Sequence, residues 1–196
     1  MGRSLAVIGS AGRGGDRRLV EPAIWSAMSE RLVSAVAILR PAALVSGGAA
    51  FADHLAVKAF LVGLVDDLVL HLPARIGPDG FEGHPDARTA NEHHARFGDA
   101  LGFDPIEDIL EAGRRGAVFE IHPGYAARNV HVARADAVIA FTAGGLGRET
   151  VGGSAREAGL KRGGTFRTWD MARTPHKVHV DLLEVARRVR SRVARV

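Results

Sequence analysis

Three short apolar runs, Leu5–Ile8, Ala43–Val45 and Ala137–Phe141, each stop at a small polar or glycine-rich loop: Gly9–Gly15, Ser46–Gly48 and Thr142–Gly147. Runs of this length and composition read as strands buried on both faces, and the glycines mark where the chain leaves the sheet. Between the runs the periodicity is helical. Behind Glu21-Pro22, residues Ile24, Met28, Leu32 and Val36 recur at four-residue spacing. Proline suits a first helical turn and glutamate favours its positive end. Strands that alternate with helices imply a parallel sheet with right-handed crossovers. The expected fold is therefore α/β: a single-domain Rossmann-like three-layer sandwich with a mainly parallel sheet, spanning residues 1–196.

The remaining elements follow from the same signals. Helices are expected over Phe51–Leu61, Asn91–Leu101 with Asn91 as cap, Asp104-Pro105 to about Ala112, Ala126–Ala133 and Gly153–Leu160. Leu68–Leu72 reads as a strand and Gly164–Trp169 as the last one. Pro73 to about Ala90, rich in Gly, Pro and Asp, reads as a long loop, while Val118–Ile121 is ambiguous. Asp181–Arg195 reads as a C-terminal helix.

Composition removes several function classes. The chain has no Cys, which excludes disulfides, thiolate metal sites and a Cys nucleophile. There is no apolar run of about 18 residues, so no membrane span is expected. The opening MGRSLAVIGSAG turns glycine-rich too soon for a secretory leader, and a cytoplasmic location is the expectation. The net charge of +4 is unevenly placed. Residues 185–196 carry five Arg and no acid; the rest of the chain holds 21 basic against 22 acidic residues. The body is thus nearly neutral, unlike a dedicated nucleic-acid binder. Val185, Val189 and Val193 make the tail an amphipathic basic helix, suited to docking on the body or to weak contact with nucleic acid.

In an open parallel sheet, ligands bind beyond the carboxyl ends of the strands. Three glycine-bearing loops meeting there would form a rim for a phosphate or nucleotide, because backbone N–H groups and helix N-termini favour anions. Gly9, Gly12, Gly14 and Gly15 match neither the dinucleotide fingerprint nor the Walker pattern. That disfavours a nicotinamide-dependent dehydrogenase and a P-loop NTPase. Among the nine histidines the dense cluster is His93-His94, with Glu92 and upstream His84. Neighbours on a helix point about 100° apart, so the pair does not share one ion. No metal site and no cofactor are expected. Tyr125, close ahead of Arg128, could stack on a base or pack near a turn.

Gly9-Ser10, then Ser46-Gly47-Gly48-Ala49 followed by Asp53, then Arg128-Asn129 and Ala135–Phe141 together resemble the SLOG superfamily. That group includes the LOG-type ("lysine decarboxylase-like") phosphoribohydrolases, the DprA DNA-processing fold and nucleotide-sensing modules. The resemblance covers residues 5–170 as a pattern. It implies a nucleotide cradled by Gly9, Ser10, Gly47, Gly48, Gly144, Gly145 and Gly147, with Gly12, Ser46, Asp53 and Thr142 on the same rim. Asp53 would cap or orient the second loop, or stabilise its helix start. Arg128 matches an arginine that lies in the active site of the hydrolases. Those hydrolases carry P-G-G-x-G-T-x-x-E, whereas this chain has Ala143 for the Pro, Arg148 for the Thr and Val151 for the Glu. Glu149 stands two residues early.

The departure leaves nucleotide binding as the leading expectation: a small-molecule nucleotide or derivative held by a SLOG-type homo-oligomer. A nucleoside 5′-monophosphate phosphoribohydrolase, with Arg128 and Glu149 catalytic, is the alternative, and a DprA-like nucleic-acid-binding module the third.

Overall fold

The structure is a computed structural model that describes residues 3–147 and 149–193. Seven strands form one sheet: β1 (Ser4–Gly9), β2 (Ala43–Ser46), β3 (Asp67–Leu72), β6 (Val118–Ile121), β7 (Ala137–Thr142), β8 (Thr150–Val151) and β9 (Lys177–Asp181). Their order is β6-β3-β2-β1-β7-β9-β8, and every pairing is parallel except β8 with β9. The expected Rossmann-like α/β sandwich is what the chain adopts.

Side chains alternate across the sheet and fill two cores. Leu5, Val7, Leu44, Leu68, Leu70, Ile139 and Phe141 face one layer; Ala6, Ile8, Val45, Val138 and Ala140 face the other. The first layer is built by α1 (Pro22–Leu39), α2 (His54–Leu61), α3 (Pro85–Leu101), α4 (Pro105–Arg114) and α7 (Leu182–Val193). The helices α5 (Gly124–Val132) and α6 (Gly164–Met171) cover the second face. This division follows from handedness. The chain steps from β1 through β2 and β3 to β6 in one direction, then returns through β7 to β9, and right-handed crossovers then place the helices on opposite faces. The turning point lies between β1 and β7.

The first helix packs as its spacing requires, with Ile24, Met28, Leu32 and Val36 buried. Truncating a fully buried Leu such as Leu44 to Ala would cost about 2–5 kcal/mol. Asp104 caps α4 by accepting from the Ile106 and Glu107 N–H groups. Val118–Ile121 resolves as the short edge strand β6.

Four expectations are corrected. The segment after Pro73 is not a loop: β4 (Arg75–Gly77) and β5 (Gly80–Glu82) form a hairpin, and α3 begins at Pro85 behind His84. Asn91 caps nothing. It sits inside α3, where its amide accepts from the Phe81 N–H at 2.7 Å and donates to the Phe81 carbonyl at 2.9 Å, clamping the hairpin to the helix. Gly153–Leu160 forms successive turns rather than a helix, because Gly159, at φ +75°, passes against Gly145. A Cβ on Gly159 would lie 2.8 Å from the Gly145 Cα. Gly164–Trp169 is helix α6, not a strand, despite its Thr, Phe and Trp, and the last long strand is Lys177–Asp181. The C-terminal helix starts at Leu182, capped by Asp181; its expected end at Arg195 lies outside the described residues. No helix among the described residues is long and apolar enough to cross a membrane.

Candidate functional site

The strand order reverses between β1 and β7, the kind of switch point at which open α/β sheets hold ligands in a crevice beyond the carboxyl ends of the strands. The first loop is drawn tightly over this point. The Ser10 N–H donates to the Phe141 carbonyl at 2.8 Å, and a Cβ on Gly9 would lie 2.2 Å from that same oxygen. Gly9 is therefore required by the approach of β7. The Ser10 hydroxyl donates to Asp16 at 2.6 Å and accepts from the Gly12 N–H at 3.1 Å, which curls the loop on itself. Gly12 makes that turn at φ +67°.

Asp53 joins the first two loops. Its Oδ1 accepts from the Gly9 N–H at 3.0 Å, and its Oδ2 accepts from the Ala49 N–H at 3.4 Å and from Arg128 Nη1 at 3.1 Å. Its own carbonyl accepts from the Ser46 hydroxyl at 3.0 Å. Asp53 thus orients both loops instead of only stabilising a helix start. The backbone that delivers it is strained: Phe51, fully buried, has φ 61°, a left-handed conformation rare for a bulky side chain. That geometry also brings the Ala52 N–H to the Ser10 carbonyl at 3.1 Å.

Arg128 comes from α5 and lies in the second loop. A Cβ on Gly47 would fall 1.1 Å from its Nη1, so the space beside Gly47 belongs to the guanidinium. Gly48, at φ +63°, packs on Leu72. The Arg128 and Asp53 side chains are only 9% and 4% exposed. Burial pushes the Asp53 carboxyl above the ordinary carboxylate range, opposed by Arg128 and by the two N–H donors. Among the described residues, Arg128 Nε is buried without a hydrogen-bond partner. The Tyr125 ring lies 5.5 Å from the guanidinium carbon and packs against the first core.

The third loop turns elsewhere. The Thr142 hydroxyl pairs with His179 Nε2 at 2.8 Å, while His179 Nδ1 donates to the Ala158 carbonyl at 3.1 Å. Gly145 lies beside His179 and Asp181, and the Gly147 N–H donates to Asp181 at 3.2 Å. Gly144 turns at φ +91° in open space. This loop is moored to β9 rather than to Arg128. Glu149 forms an ion pair with Arg31 on α1 at the surface, and no hydrogen bond joins it to Arg128 or Asp53. Arg148 lies outside the described residues. The structure brings Gly9, Ser10, Gly12, Ser46, Gly47, Gly48, Asp53 and Arg128 into one constellation, and leaves Glu149 out of its hydrogen bonds.

The sequence reading missed the other wall of the crevice. Gly163-Gly164-Thr165 opens α6, and no side chain among the described residues caps that helix. The Thr165 hydroxyl donates to the Gly9 carbonyl at 2.8 Å, which pins the α6 N-terminus to the first loop. A Cβ on Gly164 would lie 3.5 Å from the Asn129 amide, and one on Gly163 would lie 3.8 Å from the Arg13 guanidinium. A glycine pair before a Thr was the available signal. A second group missed from sequence, His71, Glu120, His122 and His131, flanks Arg128 on the same face. Two surface clefts lie away from the crevice, one between Arg18 and α7, the other between the hairpin and α3.

The fold defines an α/β protein with a mainly parallel sheet whose strand order reverses between β1 and β7. No protein-family profile matches the chain. It is similar to an uncharacterized protein of Acanthamoeba polyphaga mimivirus, 29% identical over 141 residues, which covers 71% of this chain and 70% of that one.

Proposed function

We propose that the chain binds a nucleotide or nucleotide derivative, with its phosphate in the crevice between the first loop, Arg128 and the N-terminus of α6. The observation that carries this reading is the buried Arg128, seated on Gly47, paired with Asp53 and retaining an unpartnered Nε–H. A guanidinium presents its donors in a planar fork that suits phosphate oxygens. The α6 N-terminus would add its field from the opposite wall, with Arg13 nearby. The resemblance to SLOG proteins points to the same ligand class.

Binding is favoured over cleavage by the carboxylates. Breaking an N-glycosidic bond needs a carboxylate free to stabilise the ribose cation or to orient water. Both Asp53 oxygens already accept hydrogen bonds within the loops, and Glu149 is paired with Arg31.

The test is a thermal-shift screen of nucleoside mono-, di- and triphosphates, followed by chromatography of the same mixtures for free base. Stabilisation by at least one phosphate-bearing nucleotide, and not by its nucleoside, is the expected result. Base release in the same mixtures would replace this reading with the hydrolase.

A further inference from the structure

The face beside Arg128 carries four side chains that no part of the nucleotide reading uses. His71 lies on β3, Glu120 on β6, His122 just after β6 and His131 on α5. Strand register sets them together. His71 pairs directly with Glu120 across the parallel strands, and His122, two residues beyond, returns to the same face. The α5 helix then lays the His131 ring on that of His122, with centroids 4.0 Å apart.

Their donor atoms converge. One ligand atom from each of the four residues lies within 4.8 Å of the other three. His71 Nδ1 is 3.0 Å from His122 Nε2 and 3.2 Å from Glu120 Oε2, and His122 Nε2 is 3.8 Å from that oxygen. In a tetrahedral zinc site with bonds near 2.0–2.1 Å, ligand atoms stand about 3.3 Å apart. The two distances from His71 are close to that spacing, and the one between His122 and Glu120 is wider, at 3.8 Å. His71 is buried, while Glu120 is half exposed, which leaves an entry path from solvent.

We propose that His71, Glu120, His122 and His131 form a binding site for a divalent transition-metal ion of the zinc class. Three imidazoles and one carboxylate suit Zn2+, Co2+ or Ni2+ and are poor for Mg2+ or Ca2+, which take oxygen donors. Four protein ligands would close the coordination shell, as in structural rather than catalytic zinc sites. The ion would fasten α5 and the short edge strand β6 onto β3. It would also fix the helix that carries Arg128, three residues before His131. The site stands independently of any nucleotide.

The experiment titrates the metal-free protein with ZnCl2 by calorimetry and, separately, with CoCl2 by visible absorption. One equivalent of Zn2+ is expected, with a rise in Tm and the ligand-field bands of four-coordinate Co2+. His131→Ala and Glu120→Gln, both near the surface, should weaken Zn2+ binding at least tenfold while the fold persists by circular dichroism. His93→Ala, outside the cluster, should bind as the wild type does. MgCl2 should not compete. The proposal is overturned if the wild type takes up no stoichiometric Zn2+, or if both cluster variants retain wild-type affinity.

Discussion

The Arg128 guanidinium occupies the space where a Gly47 side chain would stand, 1.1 Å from the position of its Cβ. A glycine in the second loop is thus explained by a protein side chain before any ligand is considered. Gly47→Ala must push Arg128 away from Asp53. If Arg128 holds the phosphate, Gly47→Ala and Arg128→Ala should each weaken nucleotide binding tenfold or more, and the double variant should be no weaker than Arg128→Ala. Calorimetric titration of the three proteins gives the coupling directly. Additive losses would separate the two residues.

Asp53 is predicted to be a stability residue as well. Removing one partner of a buried pair leaves the other charge uncompensated, at about 3–5 kcal/mol. Asp53→Ala also frees the Gly9 and Ala49 N–H groups. Urea unfolding should show a loss of that order. A loss below about 1 kcal/mol would mean that solvent reaches Arg128 in solution. Glu149→Gln, by contrast, removes an exposed pair worth about 0–1 kcal/mol and should leave nucleotide affinity unchanged.

Acid should destabilise the fold through its buried histidines. His94 is buried against Phe81, donates Nδ1–H to the Ala90 carbonyl at 2.8 Å and has its pKa pushed down from 6.5 to about 4 by burial. The unfolded chain protonates first as pH falls. The stability held by neutral His94 is therefore complete above pH 6.5 and lost progressively towards pH 4. His71, also pushed down to about 4, adds to the same window. Urea midpoints at pH 7.0, 5.5 and 4.5 should fall in that order for the wild type and less steeply for His94→Leu. Parallel profiles would assign the acid sensitivity to other groups.

The arginine tail is best tested without deletion. Ala186 of α7 is buried in the core and Val185 packs against it, so removing residues 185–196 would strip packing along with charge. Several tail arginines are already engaged: Arg187 and Arg188 pair with Glu184, and Arg190 with Glu21. Replacing Arg187, Arg188, Arg190 and Arg192 together by Gln keeps the helix. Any retention on heparin at low salt should then disappear, and in the wild type it should fall steeply with added salt. Equal retention by the variant would clear the tail of polyanion binding.

Much of the sheet was legible because buried parallel strands announce themselves as apolar runs; Ala137–Phe141 and Leu5–Ile8 needed no context. Lys177–Asp181 did not, since its polar ends are satisfied only in three dimensions, Lys177 by the Trp169 and Ala172 carbonyls. Gly164–Trp169 misled because its β-favouring side chains are overruled by the helix packing of Thr168 and Trp169. In the site, glycine loops and Asp53 could be read locally. The meeting of His71 with Glu120 depends on strand register across 49 residues of chain, and that of Thr165 with Gly9 on a crossover, so neither leaves a local pattern.

The central claim is that Arg128 holds the phosphate of a nucleotide at the switch point. It is tested most directly by calorimetric titration of the wild type and Arg128→Gln with the nucleotide that stabilises the wild type most in the thermal-shift screen. Gln keeps much of the length and removes the charged fork. The account predicts stoichiometric binding by the wild type and an affinity at least tenfold lower for Arg128→Gln, with the nucleoside binding both proteins equally weakly. Equal affinity of the two proteins for the nucleotide, or no binding by the wild type to any member of the panel, would contradict it.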